Sequence, residues 1–189
     1  MPNKTLRVLF FYNGIFVLGG SLLGPLYTVY VQGLNKGIFS ISISWAVFLV
    51  STTVFTFIIS RLKDKFVNKK ALLCSGFIIR AACWFSFIFT TTLWQLIIIQ
   101  FFLGIGEAVG SPAFDAIVAE HLDTNRHLMD YSDWKVIHNG VLAVATIAGG
   151  LIVYYLGFRY LFSAMSFLAI VSLFGIILSF KYKNEDSIE

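Results

Sequence analysis

The chain has 189 residues, of which 58% are hydrophobic, 17% aromatic and 13% charged, with a mean hydropathy of +0.81 and a net charge of +4. A soluble domain carries about 25% charged residues, so a water-facing globule of this size is excluded. The excess positive charge sits at the ends of apolar segments on one side rather than along a soluble stripe, which argues against nucleic acid as a partner.

The first apolar segment runs from about residue 8 to 31. Met1 to Lys4 leads straight into it, and it is too long for the apolar region of a signal peptide, so no signal peptide is expected. It carries Tyr12, Asn13, Tyr27 and Tyr30, with Gly20 and Gly24 on one face and Pro25 where a kink is expected. The second segment covers about 38–59 and leads into a strongly basic connection, Ser60-Arg61-Leu62-Lys63-Asp64-Lys65-Phe66-Val67-Asn68-Lys69-Lys70. The third, about 71–90, holds Cys74 and Cys83, too far apart on one helix to bridge each other and read as small core residues. The fourth, about 93–118, has Gly106 and Gly110 on one face and Pro112 further on. The fifth, about 136–156, begins near His138 and Asn139 and contains Gly149-Gly150; a His near a membrane face can titrate near neutral pH, but His138 is read as a hydrogen-bonded packing residue. The sixth covers about 160–180.

A transmembrane helix needs roughly 20 apolar residues to cross a core of about 30 Å, so each segment is long enough. An open sheet edge cannot sit in lipid, and the segments lack the period-two alternation of barrel strands. The expectation is an all-α membrane protein, one six-helix transmembrane domain over residues 1–189. Lys36 and Arg159 fall on one side; Lys4, Arg7, Arg61, Lys63, Lys65, Lys69, Lys70, Arg126, Lys135, Lys181 and Lys183 fall on the other. Eleven against two predicts that both termini are cytoplasmic.

Two charges lie at mid-span. Arg80 is near the middle of the third segment and Glu107 near the middle of the fourth. Across a tight turn near Thr91 and Thr92, residue 80 comes level with about residue 104, within one turn of Glu107. An unpaired charge at this depth costs at least about 2.5–3.5 kcal/mol, so an Arg80–Glu107 ion pair is expected. A second reading has Glu107 facing a cavity as a proton or cation site, and the two can coexist. Asp115, two turns further on, either lines the mouth of such a cavity or pairs with the basic connection. No G-x-x-x-x-G-K-[ST] phosphate loop, metal-spaced His/Cys cluster or nucleophile–base pair stands out, so neither ATP-driven transport, a metal, a cofactor nor an enzyme activity is expected.

The basic connection resembles the signature G-x-L-A-D-R-x-G-R-K of the major facilitator superfamily. Leu62, Asp64, Lys65, Lys69 and Leu72 match in kind, while Ser60, Val67 and Asn68 depart from it. The fourth segment adds Gly104-Ile105-Gly106-Glu107, then Pro112-Ala113, then Ala116-Ile117-Val118-Ala119-Glu120 with Arg126 beyond, similar to the family's exit from that helix. Gly149-Gly150 resembles the end of the antiporter motif, with Ala145 and Thr146 in place of its Gly-Pro, and Gln100 stands where many drug transporters carry Arg.

The resemblance covers about residues 8–180 and implies one half of a two-half transporter. It further implies a cavity lined by helices one and four, with Glu107, Arg80, Asp115, Asn13 and Tyr27 as candidates for contact with substrate or coupling ion. Asp64, Lys65, Lys69 and Glu120 would form the cytoplasmic gate. Tyr30, Trp94, Trp134 and Tyr182, at span ends, are expected in the interfacial aromatic belt. The leading expectation is a half-size secondary transporter of a small molecule in the cell's inner membrane, coupled to a proton or cation gradient and working by alternating access as a parallel homodimer. The alternatives are a non-transporting scaffold, a subunit of a hetero-oligomeric membrane complex, or a truncated half of a twelve-helix transporter.

Overall fold

The structure, a computed structural model, describes the backbone of residues 4–34, 37–61, 68–121 and 127–185. The elements are α1 (Lys4–Ser21), α2 (Leu26–Gly33), α3 (Ile38–Ser60), α4 (Lys69–Ser86, continued by a 3-10 turn over Phe87–Phe89), α5 (Leu93–His121), α6 (His127–Leu156) and α7 (Phe158–Glu185). Among the described residues, five helical stretches, carried by α3 to α7, are long and apolar enough to cross a membrane; α1 and α2 make a sixth if the bent pair counts as one span.

That bend corrects the expected continuous helix over 8–31. The two pieces meet at 41° across residues 22–25. Gly24 has φ +23°, which ordinary side chains resist, and Pro25 has no N–H to continue the ladder. Pro112 behaves differently: it lies inside α5 without interrupting it. α6 starts at His127, well before the apolar window at 136. A hydropathy window finds the lipid-crossing part of a helix, and polar turns can extend it into the headgroup region.

The helix ends are set locally. Asn68 Oδ1 accepts from Ala71 N at 3.1 Å and caps α4. Thr92 and Gln95 close the turn into α5: Gln95 N donates to Thr92 Oγ1 at 3.3 Å, and Thr92 N donates to Gln95 Oε1 at 3.1 Å. Gly157, at φ +89°, ends α6 and donates to the carbonyls of Ile152 and Val153 at 3.1 and 3.0 Å.

The helices form two groups of three: α3, α4 and α5, and α1 (with α2), α6 and α7; contacts of α4 with α7 and α2 with α3 join them. In lipid no hydrophobic effect drives helices together, so small residues and interhelical hydrogen bonds do. Gly76 of α4 crosses α5 so closely that a Cβ there would lie 2.5 Å from Gly110 Cα and 2.9 Å from Gly106 O. Gly104 meets α3 in the same way, against Phe48 O and Ser51, and Ser51 Oγ donates to Phe101 O at 2.7 Å. In the other group Gly149 packs on the Leu22 backbone at the break, and Ser172 Oγ donates to Tyr12 O. Ser166 Oγ, shared between Phe162 O at 2.9 Å and Ala81 O at 3.4 Å, links α7 to α4.

An aromatic core joins α4 to α1 and α7 across the two groups. Phe16 stacks on Phe77 with centroids 3.8 Å apart, and Phe87 on Phe162 at 5.0 Å. Tyr30 belongs to this core and not to the interfacial belt. It is buried, edge-on to Phe162 at 4.9 Å, and its hydroxyl donates to Phe87 O at 3.0 Å. The hydroxyl finds that carbonyl where α4 tightens into its 3-10 turn, so the ring need not reach water. Trp94 is 75% exposed, as an interface anchor would be, while the side chains of Trp134 and Tyr182 lie outside the described residues. Cys74 and Cys83 are free thiols.

Gly76→Ala must push α4 and α5 apart, whereas nothing lies within 4 Å of a Cβ at Gly150. We expect Gly76→Ala to cost about 1–3 kcal/mol as an overpacked contact. Gly150→Ala should be neutral or stabilise by up to about 1 kcal/mol through helix propensity. Unfolding of the two variants in mixed micelles checks the difference.

Candidate functional site

A cavity of about 520 Å³ lies between the two groups of helices. Its most polar wall is one face of α5. Gln100, Leu103, Glu107, Ser111 and Asp115 all line it, and their spacing of three and then four residues keeps them on one side of the helix. From Gln100 to Glu107 is about 10 Å along the axis, and from Glu107 to Asp115 about 12 Å. Asn13 of α1 faces the same space and is buried.

The end of the cavity toward the α2–α3 turn is aromatic. The break in the first segment redirects the chain so that Tyr27 stands in the first turn of α2, buried against α3. Its hydroxyl shares a hydrogen bond of 2.6 Å with Ser44 Oγ, and its ring lies 5.6 Å from that of Trp45, which is 5.3 Å from Phe48. Trp84 and Phe87 of α4 complete this end, with the Gln100 side chain close to the Tyr27 hydroxyl.

The middle is held by the ion pair expected from the sequence. Arg80 Nη1 lies 2.6 Å from Glu107 Oε2. The guanidinium is also 4.2 Å from the Phe16 ring centroid, on the face of a weak cation–π contact. Glycines make room for it: a Cβ at Gly106 would meet Arg80 Cγ at 2.8 Å, and one at Gly110 would meet Nη2 at 3.0 Å. The partners are unequally covered, the Arg80 side chain being 13% exposed and that of Glu107 32%. Both line the cavity, and the carboxylate is the more accessible of the two. Arg80 Nε is buried and has no hydrogen-bond partner among the described residues.

The third zone, toward the chain's N-terminal end, carries Ser111, Asp115, Lys135 and His138. Asp115 is exposed at the cavity wall, and Lys135 and Glu107 are the charges acting on its carboxylate. Among the described residues the opposite charge acting on it is Lys135 of α6; Lys63 and Lys65 of the connection before α4 lie outside them. His138, half-buried, lines the cavity, and Asn139 is exposed.

Of the expected gate residues, Lys69 and Glu120 meet: Nζ and Oε1 are 2.6 Å apart, joining the start of α4 to the end of α5. Asp64 and Lys65 lie outside the described residues. No group of three His, Cys, Asp or Glu that could hold a metal ion occurs among the described residues.

Sequence reasoning missed Gln100, Ser111, Lys135 and Trp45 as cavity residues. Gln100 and Ser111 were detectable, since they recur with Glu107 and Asp115 on one face of an otherwise apolar span. Lys135 and Trp45 sit at helix positions that composition alone assigns to the membrane boundary. The arrangement offers a polar, partly charged recess with an aromatic end, suited to holding a small solute.

The family model of the Major Facilitator Superfamily matches residues 9–188 of the 189-residue chain. No curated protein matches it.

Breaking a buried pair strands a charge, at about 3–5 kcal/mol. Glu107 keeps 32% exposure, so Glu107→Ala should cost about 3 kcal/mol, the lower end of that range. Joint replacement, Arg80→Met with Glu107→Leu, should recover most of this. A double-mutant cycle of Arg80→Met, Glu107→Leu and the joint variant, by unfolding in mixed micelles, measures it; a loss in the joint variant equal to the sum of the two single losses would show that the pair carries no coupling energy.

Proposed function

The chain belongs to the Major Facilitator Superfamily, and we propose that it is a half-size secondary transporter working as a parallel homodimer by alternating access. It is an integral membrane protein: the family match and its apolar helices agree on that. The observation that carries the finer reading is the charged face of α5, Glu107 and Asp115 above all, lining a cavity that a single bundle only partly encloses. Intramembrane charges face protein or water, not lipid. A second copy in the same orientation supplies the missing wall. The charge asymmetry of eleven against two favours parallel copies, both termini cytoplasmic in the inner membrane.

In this reading the substrate sits near the midplane, between the first and fourth spans of both protomers. Glu107 is the coupling group. Arg80 pairs with it, and a proton, cation or solute that displaces Arg80 from the carboxylate releases the link between α4 and α5. At the cytoplasmic end Lys69 and Glu120, joined by Asp64 and Lys65, brace the outward-open state. Two copies repeat each brace.

Two measurements test this. A tag fused after Glu189 should be protected from external protease in intact cells; digestion in most molecules would reverse the topology. Single cysteines at Gln100 and at Ser111, in a chain with Cys74 and Cys83 replaced, should be alkylated from opposite sides of oriented vesicles. Asp64→Asn should move labelling from Gln100 toward Ser111 by roughly fivefold or more, the effect of about 1–3 kcal/mol on a two-state balance. A dimer with unchanged labelling would remove the connection from the gate, and one-sided labelling of both sites would favour a scaffold.

A further inference from the structure

The cavity is ordered along its length in a way that specifies a class of substrate. At one end stand Tyr27, Trp45, Trp84 and Phe87. About 10 Å along α5 comes the Arg80–Glu107 pair, set by the seven-residue step from Gln100 to Glu107. We infer that the substrate is a small zwitterion with a flat apolar end, of the kind an aromatic amino acid represents. Its carboxylate would dock on Arg80, its ammonium on Glu107, and its ring would lie among the aromatics. The inference rests on the transporter reading above and names the solute for that same cavity.

Charge conservation carries the argument. Arg80 and Glu107 neutralise one another, and both are partly withdrawn from water. A purely cationic solute that engaged Glu107 would strand Arg80, and a purely anionic one that engaged Arg80 would strand Glu107. Either leaves an uncompensated charge at mid-membrane. A zwitterion exchanges partners with both and leaves the total at zero. Arg80 is equipped for it: Glu107 occupies Nη1, while Nε is buried without a hydrogen-bond partner among the described residues. A carboxylate satisfies an arginine edge with two parallel bonds. Further along, the cavity is lined by one more acidic and one more basic side chain, Asp115 and Lys135.

The aromatic end decides the other half of the molecule. The Tyr27 hydroxyl is engaged by Ser44, so the rings present mainly flat apolar surface. That favours a planar apolar group, and a polyol would find few free hydroxyls there. A volume of about 520 Å³ falls within the usual range for small-molecule sites, about 300–1,000 Å³.

The test is equilibrium binding of radiolabelled L-phenylalanine to the full chain in nanodiscs of phosphatidylethanolamine and phosphatidylglycerol. Competitors are L-tryptophan, 3-phenylpropionate, phenethylamine, glycine and glucose. L-Tryptophan should compete well, and each singly charged analogue should compete about tenfold or more weakly, having lost one charge-assisted bond. Glycine, lacking the ring, should also be weak. Glu107→Gln, which keeps shape, should raise 3-phenylpropionate relative to L-phenylalanine. Arg80→Gln should raise phenethylamine instead. A merely structural pair would weaken all competitors together, and that result would overturn the assignment. So would phenethylamine matching L-phenylalanine, or glucose binding where L-phenylalanine does not. Absence of L-phenylalanine binding in a protein whose Gln100 and Ser111 cysteines still alternate would sink this inference and leave the transporter reading standing. Binding without alternation would do the reverse.

Discussion

One ion pair in the hydrocarbon organises the rest of this molecule. Arg80 and Glu107, 2.6 Å apart, sit on neighbouring helices where either alone would be costly. Accommodating a guanidinium at a helix crossing requires space that ordinary side chains would take. Gly106 and Gly110 provide it on α5, and Gly76 lets the α4 backbone close down against them. The stacked rings of Phe16 and Phe77 then cover the remaining face of the cation. The glycines, the rings and the pair form one packing unit, and a change to any of them is felt by the others.

The contrast between the two ion pairs follows from their surroundings. Lys69–Glu120 has the same 2.6 Å separation as Arg80–Glu107, but its partners are 25% and 53% exposed. A solvated pair of that kind contributes about 0–1 kcal/mol. The inner pair is far more costly to break by removing one partner, because the other is left as an uncompensated buried charge. A switch needs a contact whose loss is affordable, so a gate can be assembled from several weak exposed pairs. The central pair can change state only when something replaces the partner that leaves.

Much of the fold was legible because lipid imposes so simple a rule. Every crossing segment must be apolar, long and helical, and the windows from 38 onward found five helices. Arg80 and Glu107 were also legible, because two charges on a tight hairpin can be brought level by counting rise per residue. The break at Gly24–Pro25 was only half visible: Pro25 suggested a kink like that of Pro112, yet only the former interrupts its helix. The difference is the preceding Gly24 in a left-handed conformation, which propensity alone does not assign. Tyr30 was misplaced because a tyrosine near a span end satisfies the belt pattern and the core pattern equally; only the position of the Phe87 carbonyl decides. The roles of Ser44 and Ser51 were invisible for a related reason. They are the only buried residues of α3, and each is placed by a partner on another helix.

That α3 buries two serines and little else has a physical consequence. Its remaining surface, with Val50, Val54, Phe57 and Ile58 exposed, faces outward from the bundle. α6 is covered to a similarly small extent. These are the helices at the margins of the cavity, one in each group of three, and each holds to its own group through small residues: α3 through Ser51 and Gly104, α6 through Gly149 at the Leu22 backbone. The two are held unequally: α3 packs on α5 almost as extensively as α4 does, whereas α6 meets α1 and α7 over less of its surface. The cavity is therefore bordered by one firmly held and one lightly held helix and backed by the aromatic core of α1, α4 and α7. That core sets the Phe16 ring against the Arg80 guanidinium, while Glu107, on α5 between α3 and α4, is the more exposed member of the pair.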